Sequence, residues 1–175
     1  MPIRLQVVPA EETEQLVSVL QDADEGLERI RATLADTGHT SYAALDGEAL
    51  IGAATTRWEA EESEIIYIAV APERRGQGVG KAIIALLLED ARAREPQARV
   101  REPGSRKRPP AQARRRGTRS VLVGTADASL ENIAFYLKCG FRMDHVRRDY
   151  FDYIQPPIME NGILMRDMLV LRFVI

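Results

Sequence analysis

The run Ala71-Pro72-Glu73-Arg74-Arg75-Gly76-Gln77-Gly78-Val79-Gly80-Lys81 is the stretch from which the rest of the chain can be read. Before it lies Glu64 to Val70, an apolar strand dominated by Ile65, Ile66, Tyr67, Ile68 and Val70, which Pro72 ends because proline cannot donate to a ladder. After it comes a segment with Val79, Ile83, Leu86 and Leu87 on one face at helical spacing. Strand, glycine-rich turn and helix start together make an anion cradle. Glycine lets the backbone approach a phosphate closely, several N–H groups converge at the helix N-terminus, and the helix dipole adds favourable charge. Two better-known cradles do not fit. The dinucleotide fingerprint needs a glycine where Lys81 stands, and the P-loop needs a glycine at Arg75 and Ser or Thr at Ala82. Taken alone, the segment also admits a glycine-rich turn that holds no ligand.

Outward from this motif the chain alternates strands and helices. Ile3 to Val8 has strand-like alternation, and Glu11 to Leu34 supports two helices broken near Asp22 to Gly26, with Leu16, Val19 and Leu20 on one face. Thr40 to Leu45 and Ala49 to Trp58 make a hairpin around Asp46-Gly47, and Glu64 to Val70 continues the meander. Further on, Ser120 to Thr125 is a short apolar strand and Leu130 to Cys139 a helix on which Asn132 and Tyr136 share a face. Gly140 suits a left-handed helix stop, with Phe141 as the apolar residue after it.

Composition narrows the function. With 45% hydrophobic and 29% charged residues in 175, the chain is a soluble single domain able to bury a substantial core. No stretch resembles a signal peptide or a membrane span, so a cytoplasmic protein with no membrane partner is expected. Cys139 is the only cysteine, which leaves no intrachain disulfide and no cysteine-based metal cluster, and beside Gly140 and Phe141 it reads as packing; no metal is expected. The net charge of −2 conceals a window, Arg92 to Arg119, that carries +9 against −11 elsewhere. Its centre, Pro96 to Gly117, is rich in Arg and Pro and lacks helical or strand periodicity, so it is expected to be a flexible insertion in a surface loop. Such basic density can attract nucleic acid, but it has no interleaved aromatics for stacking.

Together the two motifs carry a resemblance. Ile68 to Gly80, with Arg75, Gly78 and Gly80 in the pattern Arg or Gln, two residues, Gly, one residue, Gly or Ala, resembles the central motif of the GNAT superfamily of acyltransferases. Asn132-Ile133-Ala134-Phe135-Tyr136-Leu137-Lys138-Cys139-Gly140-Phe141 looks like the second block of that family, a helix tyrosine before a Gly-Phe pair. The order of elements agrees over essentially the whole chain, and the departure is the Arg-rich insertion, where the family usually has a short connection. The resemblance implies an α/β (α+β) fold: a mixed, mostly antiparallel sheet of six to seven strands flanked by about four helices and splayed between the fourth and fifth strands.

It also implies an acetyl-CoA-dependent N-acetyltransferase that acts on a primary amine of a small molecule or peptide by direct attack on the thioester. The pantetheine arm would fill the splay like an extra strand, bonding backbone groups of Ile68, Ala69 and Val70, one of which would polarise the thioester carbonyl. The pyrophosphate would rest on Arg75, Gly76, Gln77, Gly78, Val79, Gly80 and Lys81, with Asn132 also on the cofactor side. Tyr136, a phenol of unperturbed pKa about 10, would protonate the departing thiolate. Glu64 matches a strand glutamate that serves as general base in some members, and it also reads as a solvated strand-end carboxylate. The acceptor groove would be lined by Glu11 to Asp36 and by Tyr150 to Gly162, whose Tyr150, Phe151, Asp152, Tyr153 and Glu160 would suit a cationic amine. A homodimer is compatible with the resemblance. Two other classes stay open: a non-catalytic acyl-CoA sensor, and an RNA-associated protein using the Arg-rich loop.

Overall fold

Strong local signals appear in the structure, a computed structural model, as regular elements, and it describes residues 2–21, 23, 26–94 and 119–175. The insertion expected at 96–117 lies outside the described residues. The elements run β1 (Arg4–Val8), α1 (Glu14–Leu20), α2 (Leu27–Ala35), β2 (Thr40–Asp46), β3 (Ala49–Arg57), β4 (Glu62–Val70), α3 (Val79–Ala93), β5 (Ser120–Ala126), α4 (Leu130–Lys138), β6 (Arg142–Arg147), β7 (Met159–Glu160), β8 (Ile163–Leu164) and β9 (Met168–Val174). Seven strands form one sheet in the order β1-β2-β3-β4-β5-β9-β6, antiparallel except for β4 and β5. Among the described residues no helix is long and apolar enough to cross a membrane.

Strand alternation sends residues to two cores. Ile65, Val121, Val123 and Leu171 face α3 and α4, where they pack with Ile83, Leu87, Tyr136 and Phe141. On the opposite face Ala43, Ala53, Tyr67 and Ala69 pack with Leu16 and Leu20 of α1 and Ile30 and Leu34 of α2. The small residues of β3 have a local cause: a side chain at Gly52 would meet Ile83 at 2.8 Å and the Ala69 carbonyl at 2.9 Å. Tyr42 closes the first core with a polar cluster, donating to Asp90 at 2.5 Å and accepting from Trp58 at 2.9 Å and Arg94 at 3.0 Å. Burial and the Asp90 carboxylate push its phenol up to about 12, so it remains a donor.

The splay expected between the fourth and fifth strands begins at one residue. Thr55 pairs with Tyr67 but Thr56 pairs with Ile65, so Ile66 is an extra residue on β4, a bulge. On the other side β4 pairs in parallel with β5 from Glu62 to Ile65 and no further. The bulge bends β4 away from β5 just where their pairing stops. Beyond it, the bond from Ala71 N–H to the Ile51 carbonyl, 3.0 Å, sets the alternation. Ala69 and Tyr67 therefore direct their backbone groups to β3, and Ile68 and Val70 direct theirs to the gap.

Helix α4 ends as its sequence implies. Gly140, at φ +97°, lets its N–H bond the Leu137 carbonyl and that of Phe141 bond the Tyr136 carbonyl, both at 3.1 Å, the paired closure of a left-handed stop. Phe141, fully buried, then sits 5.9 Å from the Tyr136 ring, edge to face, and 5.5 Å from Phe173. Phe141→Ala should cost about 3–5 kcal/mol in chemical denaturation, the range for large aromatic truncations in cores. Leu130→Ala, at a position 49% exposed, should stay within about 0.5 kcal/mol. Equal effects would contradict this packing.

Candidate active site

The two motifs meet on one cavity of about 1120 Å³, which runs from the turn before α3, along the open edge of β4, to the loop between β6 and β9. Of the residues singled out by sequence, Glu64, Ile68, Ala69, Val70, Arg75, Gly76, Gly78, Val79, Gly80, Lys81, Asn132 and Tyr136 all line it. Gln77 does not; its amide turns back to the Glu73 carbonyl at 2.9 Å and closes the turn instead.

The three glycines of the turn serve different ends. Gly76 and Gly78 have φ of +71° and +82°, a region side chains disfavour, and a side chain on either would point into open space. Gly78 is the N-cap of α3 and supplies no side-chain bond, so the N–H groups of the first turn face the cavity uncapped. Arg74, Arg75, Lys81 and Lys138 also line the cavity and give this end a positive field. Gly80 is different. It is helical, and a side chain there would meet the Phe135 ring at 3.2 Å, so its absence lets α4 pack on α3. Gly80 therefore has a packing reason in addition to its place on the cavity wall.

At the centre, Val70 accepts a bond from Arg75 Nε at 3.2 Å, which confirms that its carbonyl faces away from β3. Tyr136 is 7% exposed, and burial, then the neighbouring Cys139 thiol, raises its phenol above its ordinary value. It therefore stays protonated across the neutral range. Cys139 is a free, half-buried thiol whose own acidity burial weakens and Lys81 partly restores.

Glu64 is neither solvated nor in an apolar setting. It is 8% exposed and its carboxylate lies between two guanidinium groups, Arg57 Nη2 at 2.9 Å from Oε2 and Arg147 Nη1 at 3.0 Å from Oε1. Both arginines escaped the sequence reading. Arg57 ends β3 opposite Glu64, a pairing readable only from the register after the bulge. Arg147 ends β6, two strands beyond β5 in the sheet, which no local pattern discloses. Two lone pairs of the carboxylate remain for a water or an amine.

The far wall, within which Tyr150 to Gly162 was expected to line the acceptor groove, contains a small hairpin. Asn161-Gly162, at φ +53° and +75°, turns β7 into β8, and Asn161 donates to the Ala128 carbonyl at 3.1 Å while Ser129 donates to Glu160 at 2.5 Å. The hairpin is thereby tied to the start of α4. Asn-Gly is the strongest short hairpin signal, so this element was legible. Tyr150, Phe151, Tyr153 and Glu160 line the cavity but Asp152 does not, and Arg29 lies over the Tyr153 ring at 3.8 Å. The chain thus supplies its own cation to one face of that ring and a donor to one oxygen of Glu160. Among the described residues no group of three or more His, Cys, Asp or Glu could hold a metal.

With this geometry in view, comparison with known proteins is informative. The model of the acetyltransferase (GNAT) domain matches residues 37–143. An N-acetyltransferase of Bacillus subtilis (strain 168), itself described as uncharacterised, is 27% identical over 130 residues, 73% of this chain and 70% of its own. Among solved structures, an IAA acetyltransferase from Bacillus cereus ATCC 14579 is similar at 27% identity and TM-score 0.76. A GNAT family acetyltransferase from Elizabethkingia anophelis with acetyl-CoA bound is similar at 26% and 0.78, and for each of these two structures the match covers 99% of both chains.

The packing role of Gly80 can be read in a double-mutant cycle. Gly80→Leu should overpack the contact and cost about 1–3 kcal/mol. In a Phe135→Ala background, where the opposing ring is gone, the same change should cost clearly less. Additive costs would show that Gly80 is not there for α4.

Proposed function

The chain belongs to the GNAT family of acetyltransferases, and we propose that it transfers the acetyl group of acetyl-CoA to a primary amine by direct attack of the amine on the thioester. The observation that carries this reading is the continuity of one cavity from the uncapped start of α3, past the outward backbone groups of Ile68 and Val70, to Tyr136 and Glu64. The acetyl-CoA seen in the similar Elizabethkingia anophelis protein supports the same ligand here.

The residues present fit such a ligand. Pyrophosphate would be held by N–H groups of the turn and first helical residues, from Gly76 to Lys81, with the charges of Arg75 and Lys81 beside them. Ile68 and Val70 would hold the arm's amides as a neighbouring strand would, and Arg75 would leave the Val70 carbonyl for the phosphate. Acetyl-CoA would supply the activated carbonyl. A main-chain N–H near Ile68 to Val70 would stabilise the oxyanion formed as the C–N bond is made. The amine must lose a proton in this step, and Glu64, through one of its remaining lone pairs and a water, would take it.

As the C–S bond breaks, Tyr136 would give its proton to sulfur. Burial makes this phenol a weaker acid than usual, yet the same burial destabilises a thiolate released beside it, so the transfer depends on the difference between the two. Because the raised value keeps Tyr136 protonated, it contributes no alkaline limb to the rate profile until above its ordinary value of 10.0.

Thiol release from acetyl-CoA over a panel of amines tests the reading, and release with none of them would defeat it. With a competent amine, Tyr136→Phe should lower kcat by about 10- to 1000-fold with little change in acetyl-CoA affinity. Its pH profile below about 10 should keep the wild-type shape at reduced height. Wild-type kcat with chemistry rate-limiting would make Tyr136 a packing residue only.

A further inference from the structure

The far half of the cavity carries a guanidinium whose best binding edge is open. Arg147 Nη1 is engaged by Glu64 Oε1 at 3.0 Å and by Met168 Sδ at 3.8 Å. Among the described residues its Nε and Nη2 have no protein partner, although the side chain is 34% exposed and lines the cavity. That edge presents two parallel N–H groups at the spacing of a carboxylate. Two other arginines fill theirs: Arg57 spends Nε on Glu59 at 3.1 Å and Nη2 on Glu64 at 2.9 Å, and Arg172 grips Asp144 through Nε at 2.6 Å and Nη2 at 3.1 Å. Arg74 and Arg94 bind a carboxylate through Nη2 alone, their Nε being buried without a partner, whereas the open edge of Arg147 lies on the cavity. The Arg172 fork shows the geometry that such an edge offers a carboxylate.

Near Arg147, Glu64 is shared with Arg57, which is also held by Glu59, and Glu160 accepts from Ser129. Three aromatic side chains also line the cavity: Tyr150, Phe151 and Tyr153 stand in sequence with ring centroids 5.0 and 6.4 Å apart. One face of Tyr153 is covered by Arg29. An anion and an apolar body are therefore the complementary features of a ligand here.

We infer that the acceptor is an amino acid with an apolar or aromatic side chain, its carboxylate held on Nε and Nη2 of Arg147. The inference rests on the acetyltransferase reading above and names the substrate class of that site. Glu64 lies on the other side of the same guanidinium, so Arg147 ties the carboxylate subsite to the residue proposed to receive the amine's proton. The acceptor's anion, not its cation, is what the chamber selects.

The test needs no turnover. Binding to the CoA-saturated protein is measured by calorimetry for two product-like acids, N-acetylphenylalanine and N-acetylleucine, and for their counterparts without the carboxylate, N-acetylphenethylamine and N-isopentylacetamide. The acids should bind about 10- to 100-fold tighter, the scale of a charge-assisted bidentate pair. The preference should shrink to about 3-fold or less in Arg147→Met and recover in part in Arg147→Lys, which keeps the charge without the fork. Equal affinity of acid and neutral probe, a preference that survives Arg147→Met, or no binding of either acid would overturn the inference. Should Arg147→Met fail to fold, an Arg147→Lys variant with undiminished preference overturns it equally. Because the probes are products, failure of the amine panel would count against the acetyltransferase reading alone.

Discussion

The gap beside β4 governs the rest of the molecule. A strand inside a sheet satisfies its polar backbone on both sides, and a buried unpaired group costs about as much as a lost hydrogen bond. Here Ile66 is inserted opposite a single partner, pairing with β5 ends at Ile65, and Ile68 and Val70 turn their backbone groups toward a cavity. The groups can be satisfied there by water or by an extended ligand, or by a side chain as Arg75 does at Val70. One extra residue thus converts a structural strand into a binding edge.

Other features position chemistry around that edge. The rigid end of α4 matters most: the left-handed Gly140 reverses the chain, Phe141 drops into the core, and the edge-to-face contact fixes the ring of Tyr136. Gly80 lets α4 approach α3, which carries Tyr136 toward the turn where Gly76 and Gly78 adopt left-handed backbone. The small β7–β8 hairpin is tied to the first turn of α4 through Asn161 and Ser129, so the far wall and the helix of Tyr136 are parts of one assembly. On the same sheet face as Glu64, Arg172 joins Glu62, Ser120 and Asp144 across four strands, and its guanidinium and His145 hold the Asp144 carboxyl well below the usual carboxylate range.

Much of this was legible in sequence because it is local. A proline after an apolar run, glycines before a helical period, and Gly-Phe after a helix each encode a turn or cap within a few residues, and β1 to β5 and α4 fall within two residues of the expected ends, while α1 begins three residues after Glu11. What was hidden depends on register or on distant partners. The bulge at Ile66 leaves no mark in a run of β-formers, so the pairing of Arg57 with Glu64 was out of reach, as was the return of β9 between β5 and β6 that brings Arg147 to the cavity. Gly80 was readable as a glycine but not as a packing contact, since Phe135 lies 55 residues on in a different motif. The Asn161-Gly162 hairpin was a local signal that the aromatic and acidic composition around it obscured.

The central claim is that the backbone of Ile68 and Val70 is the binding edge, and amide hydrogen exchange resolved to single residues tests it most directly. In the free protein these two amides should exchange faster than those of Tyr67 and Ala69, which bond β3. On saturation with acetyl-CoA the Ile68 or Val70 amide that bonds the pantetheine arm should slow markedly, by roughly 10-fold or more for about 1.4 kcal/mol of added protection, while Tyr67 and Ala69 change little. Binding of acetyl-CoA with both amides left unprotected would contradict the account.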